Sequence, residues 1–314
     1  MKTIWFLVTF LSLNSQLSRA ESSLQSCRDR IAEIVCVVDP VDYNIPFSTQ
    51  YNRPCLDVPG YADIFEKHFD QSKDLIKKMY CSLEKIWIEN EVSTIAYATQ
   101  ILDNSNRLVA GAIGVSRKFL DEKPTFDILL SRKEAASFGS ESIELFKYSS
   151  KLSINQNFAI FYVINHEFGH LFDYANKLND FSNCDNDDCR PTVGSWGEIS
   201  WLNNESQLEK NEFPLELQPC FYACNNFLDI KNSKKIFSKL LESDFPSTYA
   251  SFNPKEDWAE MFALHLAVEE NFDWQVETQG HKFDLQAHFY SSKLDSKRAF
   301  VQKFLLSSPR YPGE

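Results

Sequence analysis

The chain has 314 residues, 43% of them hydrophobic and 14% aromatic, and a formal net charge of -12. That content can bury a sizeable core in one large domain or two lobes and excludes disordered and fibrous classes. The acidic balance, with no Lys/Arg cluster, argues against nucleic acid or an anionic membrane as the partner.

The chain opens Met1-Lys2-Thr3, continues through an apolar run from Ile4 to Leu13, and reaches Ser18-Arg19-Ala20 after a polar stretch. These are the three parts of a secretory signal, so residues 1–20 read as a signal peptide cleaved after Ala20. The run is too short to cross a bilayer as a helix, and no later stretch approaches the ~18 apolar residues that would. A secreted or periplasmic product without a membrane span is the expectation. There are eight cysteines: Cys27, Cys36, Cys55, Cys81, Cys184, Cys189, Cys220 and Cys224. In an exported chain their default is four disulfides, the first four in the N-terminal part and the last four in an inner loop region, with pairing left open. The rival is a second, structural zinc site at Cys184, Cys189, Cys220 and Cys224. An oxidising compartment and loose spacing speak against it.

From Leu24 to Val38 the pattern is short and helical, and Asp39-Pro40 ends it. Pro40, Pro46, Pro54 and Pro59 then mark an irregular segment, stapled by Cys55. A second helical stretch is predicted from Tyr61 to about Glu89, with Ile64, Phe65, Phe69, Leu75, Ile76, Met79 and Leu83 spaced for a buried face. Residues 21–90 thus read as a helical N-terminal part. Residues 91–314 read as a second domain, with a Cys-rich insertion at about 177–245.

The texture changes near Val92. Ser93 to Leu102 and Leu108 to Ser116 are strand-like and are joined by Asp103-Asn104-Ser105-Asn106, which predicts a hairpin. Another strand is predicted through Phe126 to Leu130. An exposed edge here could hold an extended peptide across a site. An ordinary core sheet explains the same pattern.

The run from Asn157 to Asn176 is apolar and helix-compatible, and contains His166-Glu167-Phe168-Gly169-His170. On a helix, two imidazoles four residues apart share one face with a carboxylate beside them, which suits zinc and a water. Ile160, Ile164, Phe168, Leu171 and Ala175 fall nearly opposite, giving a core side and a site side. Gly169 lies beside the histidines and would let another backbone approach. The plain alternative is a buried helix with satisfied core histidines. In the insertion, the acidic loop from Cys184 to Cys189 lacks the EF-hand pattern, so it reads as a solvated disulfide loop.

The other informative segment runs from Tyr249 to Phe262 and contains Asn253-Pro254-Lys255-Glu256 and Ala259-Glu260. Asn253 is a candidate N-cap and Pro254 a suitable first helical residue. Glu256 and Glu260 share a face that Ala259, Ala263 and Ala267 flank, which would let this helix pack closely on the histidine helix. Glu256 could be the acidic half of a capping box, but Glu260 has no capping role. In a zinc site Glu256 would be the third ligand, and Glu260 would accept the outer N–H of a ligand histidine. Asp173 lies on the histidine face and could brace His170, or be a solvated acid near a helix end. His265 falls near 180° from Glu256 and is set aside.

Together these two motifs resemble the gluzincin class of zinc metallopeptidases, and within it the anthrax lethal factor-like catalytic domain and related bacterial zinc-binding peptidases. The resemblance implies an α+β, zincin-like fold with a small mixed sheet packed on the histidine helix and a second, glutamate-bearing helix. It implies Zn2+ bound by His166, His170 and Glu256, water activation by Glu167, an outer carboxylate at Glu260, and a tyrosine, Tyr249, assisting the tetrahedral intermediate. The 86 positions from His170 to Glu256 are cysteine-rich and longer than a minimal gluzincin needs, so substrate recognition does not carry over. The metzincin pattern fails, because Asp173 and Asn176 stand where it requires Gly and His. The expected function is hydrolysis of a peptide or protein substrate, with Glu167 as general base. A zinc hydrolase of a non-peptide amide and a binding protein on the same scaffold are the alternatives.

Overall fold

A computed structural model describes residues 23–38, 54–56, 58–90, 94–140, 142–150, 156–185, 188–222, 227–268 and 274–314. The expected signal peptide lies outside the described residues, as does most of the proline-rich segment. The elements run α1 (23–34), β1 (Val35–Val38), α2 (Tyr61–Gln71), α3 (Asp74–Cys81), β2 (Leu83–Glu89), β3 (Ala96–Leu102) and β4 (Leu108–Ser116). They continue with α4 (Arg117–Glu122), α5 (Phe126–Ser137), β5 (Lys147–Ser150), α6 (Gln156–Asn176), β6 (Asn183–Asp185), β7 (Asp188–Arg190), α7 (Gly197–Ser200) and α8 (Ser233–Glu242). The last are α9 (Pro254–Val268), β8 (Trp274–Thr278), β9 (His281–Asp284), α10 (Leu285–Phe289) and α11 (Asp295–Leu306).

The architecture is α+β. A four-stranded mixed sheet has the order β1-β2-β4-β3, with the first three strands parallel and β3 antiparallel at the edge. Sheets of three strands (β5-β8-β9) and two strands (β6-β7) are antiparallel. The expected β3–β4 hairpin forms. The Asp103 carboxylate accepts from the backbone N–H of Ser105 and Arg107, and Asn106 takes the left-handed conformation (φ 57°) that closes the turn.

Three expected elements differ. Residues 35–38 and 83–89 are strands, not the ends of helices, so residues 21–90 are not wholly helical and supply two strands of the main sheet. Val35–Val38 are buried throughout, as are Ile86, Trp87 and Ile88. A strand covered on both faces shows a continuous apolar run, which over so few residues mimics a buried helix face. Conversely, Phe126–Leu130 begins helix α5 and is not a strand. Thr125 caps that helix by accepting from the Ile128 N–H, and Phe126, Leu129 and Leu130 then fall on its buried side.

One hydrophobic cluster joins the N-terminal helices, the main sheet, α6, α9 and α11 through residues such as Phe65, Ile86, Phe168, Trp258 and Phe304. Disulfides link Cys27 to Cys81 and Cys36 to Cys55, and Cys189 and Cys220 are also disulfide-bonded. Cys184 and Cys189 face each other across the β6–β7 hairpin. Among the described residues no helix is long and apolar enough to cross a membrane.

Candidate metal centre

Helix α6 sorts its faces as its period requires. Ile160, Ile164, Phe168 and Leu171 have no exposure, while His166, Glu167 and His170 look away from that stripe into a cleft of about 1000 Å³. Gly169 is the point of closest approach. A β-carbon there would stand 2.9 Å from Cα of Ala259, and its carbonyl accepts the Trp258 indole N–H at 2.7 Å. The buried row of Ala259, Ala263 and Ala267 lets α9 lie against α6 along its length.

Helix α9 begins as its sequence dictates. Asn253 Oδ1 accepts from the N–H groups of Lys255 and Glu256, both at 3.0 Å, and Pro254 fills the first turn. Asn253 thus caps the helix, and the Glu256 carboxylate turns to the histidines. Its Oε2 lies 3.0 Å from His166 Nε2 and 3.4 Å from His170 Nε2, and its Oε1 accepts from the Tyr222 hydroxyl at 3.1 Å.

His166, His170 and Glu256, all buried, could therefore hold a metal ion: one ligand atom from each lies within 4.8 Å of the others. Bonds of ~2.0–2.1 Å in a tetrahedral site separate ligand atoms by roughly 3.4 Å, close to the 3.0 and 3.4 Å between Glu256 Oε2 and the two imidazoles. Charge fits as well. The carboxylates of Glu167, Glu256 and Glu260 are all buried, and the ammonium of Lys133 beside Glu260 offsets only one of them, a deficit that a divalent cation fills.

The remaining polar atoms orient this set. His166 Nδ1 lies 3.3 Å from Glu260 Oε2, which fixes the ring with Nδ1–H donating and Nε2 directed at the centre, where it meets Glu256 Oε2. Glu260 is itself held by Lys133 Nζ at 2.8 and 3.0 Å and by the Ser247 hydroxyl at 2.8 Å. Burial raises the Glu260 carboxyl, but Lys133 and His166 outweigh it and hold the pKa at about 2. Burial alone would lower the His166 imidazole; hydrogen bonds to Glu256 and Glu260 raise it to about 10 instead. Glu167 lines the cleft without being drawn into that group, and burial pushes its carboxyl up against the pull of His166 and His170.

Tyr249 also lines the cleft, with its ring 5.7 Å from that of His166 and Lys133 Nζ 4.4 Å from its centroid. Burial holds its hydroxyl well above the usual range, so it is a donor at neutral pH. Asp173 does not brace His170. It accepts from the Asn179 backbone and side-chain amides at 2.7 and 3.0 Å, because Lys177 takes a left-handed conformation (φ 51°) and folds Asn179 back onto it. His170 Nδ1 is buried with no hydrogen-bond partner among the described residues. His288 bonds the Phe245 carbonyl, and neither it, His265 nor His281 lines the cleft.

Three features escaped the sequence reading. Lys133 sits on α5, beyond the Phe126–Leu130 stretch expected as a strand, so no helix face could be drawn through it. Tyr222 reaches Glu256 from the Cys-rich insertion, with no periodic signal to announce it. Asp257, next to Glu256, accepts the indole N–H groups of Trp196 and Trp201 and pairs with the fully buried Lys297 at 2.7 Å, so α9 is tied to the insertion and to α11. No family model matches the chain, and no curated protein or solved structure matches it.

Proposed function

We propose that this chain is an exported zinc metallopeptidase of the gluzincin type, with a zincin-like fold, whose ion is held by His166, His170 and Glu256. The observation that carries the reading is the convergence of these three side chains, brought together from two helices whose ligands are up to 90 residues apart. Two imidazoles and one carboxylate form a donor set that suits zinc, and zinc bound there supplies Lewis acidity, activating water near neutral pH and polarising a carbonyl.

The protein's own groups supply the rest. The outer edge of β3, whose residues 96–98 line the cleft and which no strand pairs among the described residues, offers backbone groups to an extended peptide. Glu167 accepts the proton of the attacking water and passes it to the leaving amine. Tyr249 donates to the developing oxyanion. Glu260 holds the His166 tautomer, and Lys133 keeps Glu260 ionised. The disulfides fit an oxidising, extracytoplasmic compartment.

Elemental analysis of purified variants tests the ligand set. Glu256→Gln is expected to lower zinc occupancy, while Glu167→Gln keeps the ion. Equal zinc content in wild type and Glu256→Gln would overturn the assignment.

A further inference from the structure

We infer that Tyr222 is a positioning residue of the metal centre: the Cys-rich insertion reaches back to hold the oxygen of Glu256 that faces away from the histidines. The inference rests on the reading of Glu256 as a ligand.

The Tyr222 hydroxyl donates to Glu256 Oε1 at 3.1 Å and accepts from Asn253 Nδ2 at 2.8 Å. This Asn253 is the one whose Oδ1 caps α9, so the hydroxyl and the start of the helix are fixed together. The other oxygen of Glu256, Oε2, is the one directed at His166 Nε2 and His170 Nε2. A glutamate carboxylate has two equivalent oxygens and a broad terminal torsion, so it could present either oxygen or both. With Oε1 engaged by a phenol, the group is held ready to ligate through Oε2 alone. Loss of an outer hydrogen bond of this kind typically costs about 10- to 100-fold in metal affinity.

Ring contacts place the tyrosine. Tyr222 meets Phe252 edge to face at a centroid distance of 4.5 Å, and the preceding Phe221 meets Tyr249 in the same way at 4.8 Å. Two consecutive side chains of the insertion thus engage the metal carboxylate and the tyrosine assigned to the oxyanion. Cys220, immediately before them, is disulfide-bonded, which restricts the segment. Tyr222 also lines the cleft and is 42% exposed, so its hydroxyl can be removed with little disturbance of the core.

The test is Zn2+ affinity, measured by competition with a chromophoric chelator, together with the melting temperature of the metal-free protein. Tyr222→Phe keeps the ring contact with Phe252 and removes only the hydroxyl. Its affinity for Zn2+ is expected to fall about 10- to 100-fold with the metal-free melting temperature unchanged. Tyr222→Leu, which also loses the ring, should bind at least as weakly. Unchanged affinity in Tyr222→Phe overturns the inference. So does a loss confined to Tyr222→Leu, or one matched by a drop in metal-free melting temperature, since either makes the role one of packing. Glu256→Gln, measured alongside, separates the two levels. If it too leaves affinity unchanged, the ligand reading itself has failed; if it weakens binding while Tyr222→Phe does not, only the role of Tyr222 has failed.

Discussion

Gly169 and Ala259 meet backbone to backbone: a β-carbon on the first would stand 2.9 Å from Cα of the second. Each is the chain neighbour of a site residue, His170 and Glu260, so this contact sets how far apart the two helices hold the site. Replacing Gly169 by Ala would gain about 1 kcal/mol of helix propensity. It would also overpack a contact whose nearest atom is backbone and cannot rotate away, at a cost of about 1–3 kcal/mol. The second effect wins. Denaturant unfolding of Gly169→Ala should show a net loss of about 1 kcal/mol, and Zn2+ binding should weaken. No change in either would mean that the contact does not set the helix spacing.

Lys133 and Glu260 should behave as one unit. The ammonium lies 2.8 and 3.0 Å from the two carboxylate oxygens, and Glu260 is almost wholly buried. Removing the cation alone leaves a buried carboxylate that has lost its one ammonium partner and keeps polar neighbours such as the Ser247 hydroxyl and the His166 N–H. Lys133→Met is expected to cost about 3 kcal/mol in urea unfolding. Lys133→Met combined with Glu260→Gln should recover part of that loss. Strict additivity of the two substitutions would contradict the coupling.

Acid sensitivity should trace in part to His68. Its ring is buried, with Nδ1 2.8 Å from the Tyr80 hydroxyl, and burial lowers its pKa to about 3. In the unfolded chain the value is about 6.5. Above that pH neither state binds the proton and His68 contributes nothing. As pH falls from about 6.5 toward 3, the unfolded chain takes up a proton that the folded chain refuses, so stability drops by up to about 1.4 kcal/mol per pH unit. His68→Gln should flatten the fall of unfolding free energy between pH 6.5 and 4, whatever it does to stability at pH 8. An unchanged slope would place the acid-sensitive group elsewhere.

The legible parts of this fold were those with a local period or a local cap. Helix α6 declared itself by the apolar stripe opposite His166 and His170, α9 by Asn253-Pro254, and the β3–β4 hairpin by Asp103 to Asn106. Strands β1 and β2 were misread because, buried on both faces, they present apolar residues without alternation. The start of α5 was misread because a short apolar run hid the Thr125 cap. What surrounds the site was less accessible still. Lys133 meets Glu260 across 127 residues and Tyr222 meets Glu256 across 34, and no periodicity connects such pairs. Asp173 is claimed by a local turn at Lys177, whose left-handed conformation its residue type does not announce.

Cleavage of a broad peptide library by the purified, zinc-loaded chain, with Glu167→Gln as the control, tests the central claim most directly. The account predicts cleavage by the wild type that disappears in Glu167→Gln although zinc remains bound. A zinc-loaded wild type that cuts no peptide, or a Glu167→Gln variant that cuts as well as the wild type, would contradict it.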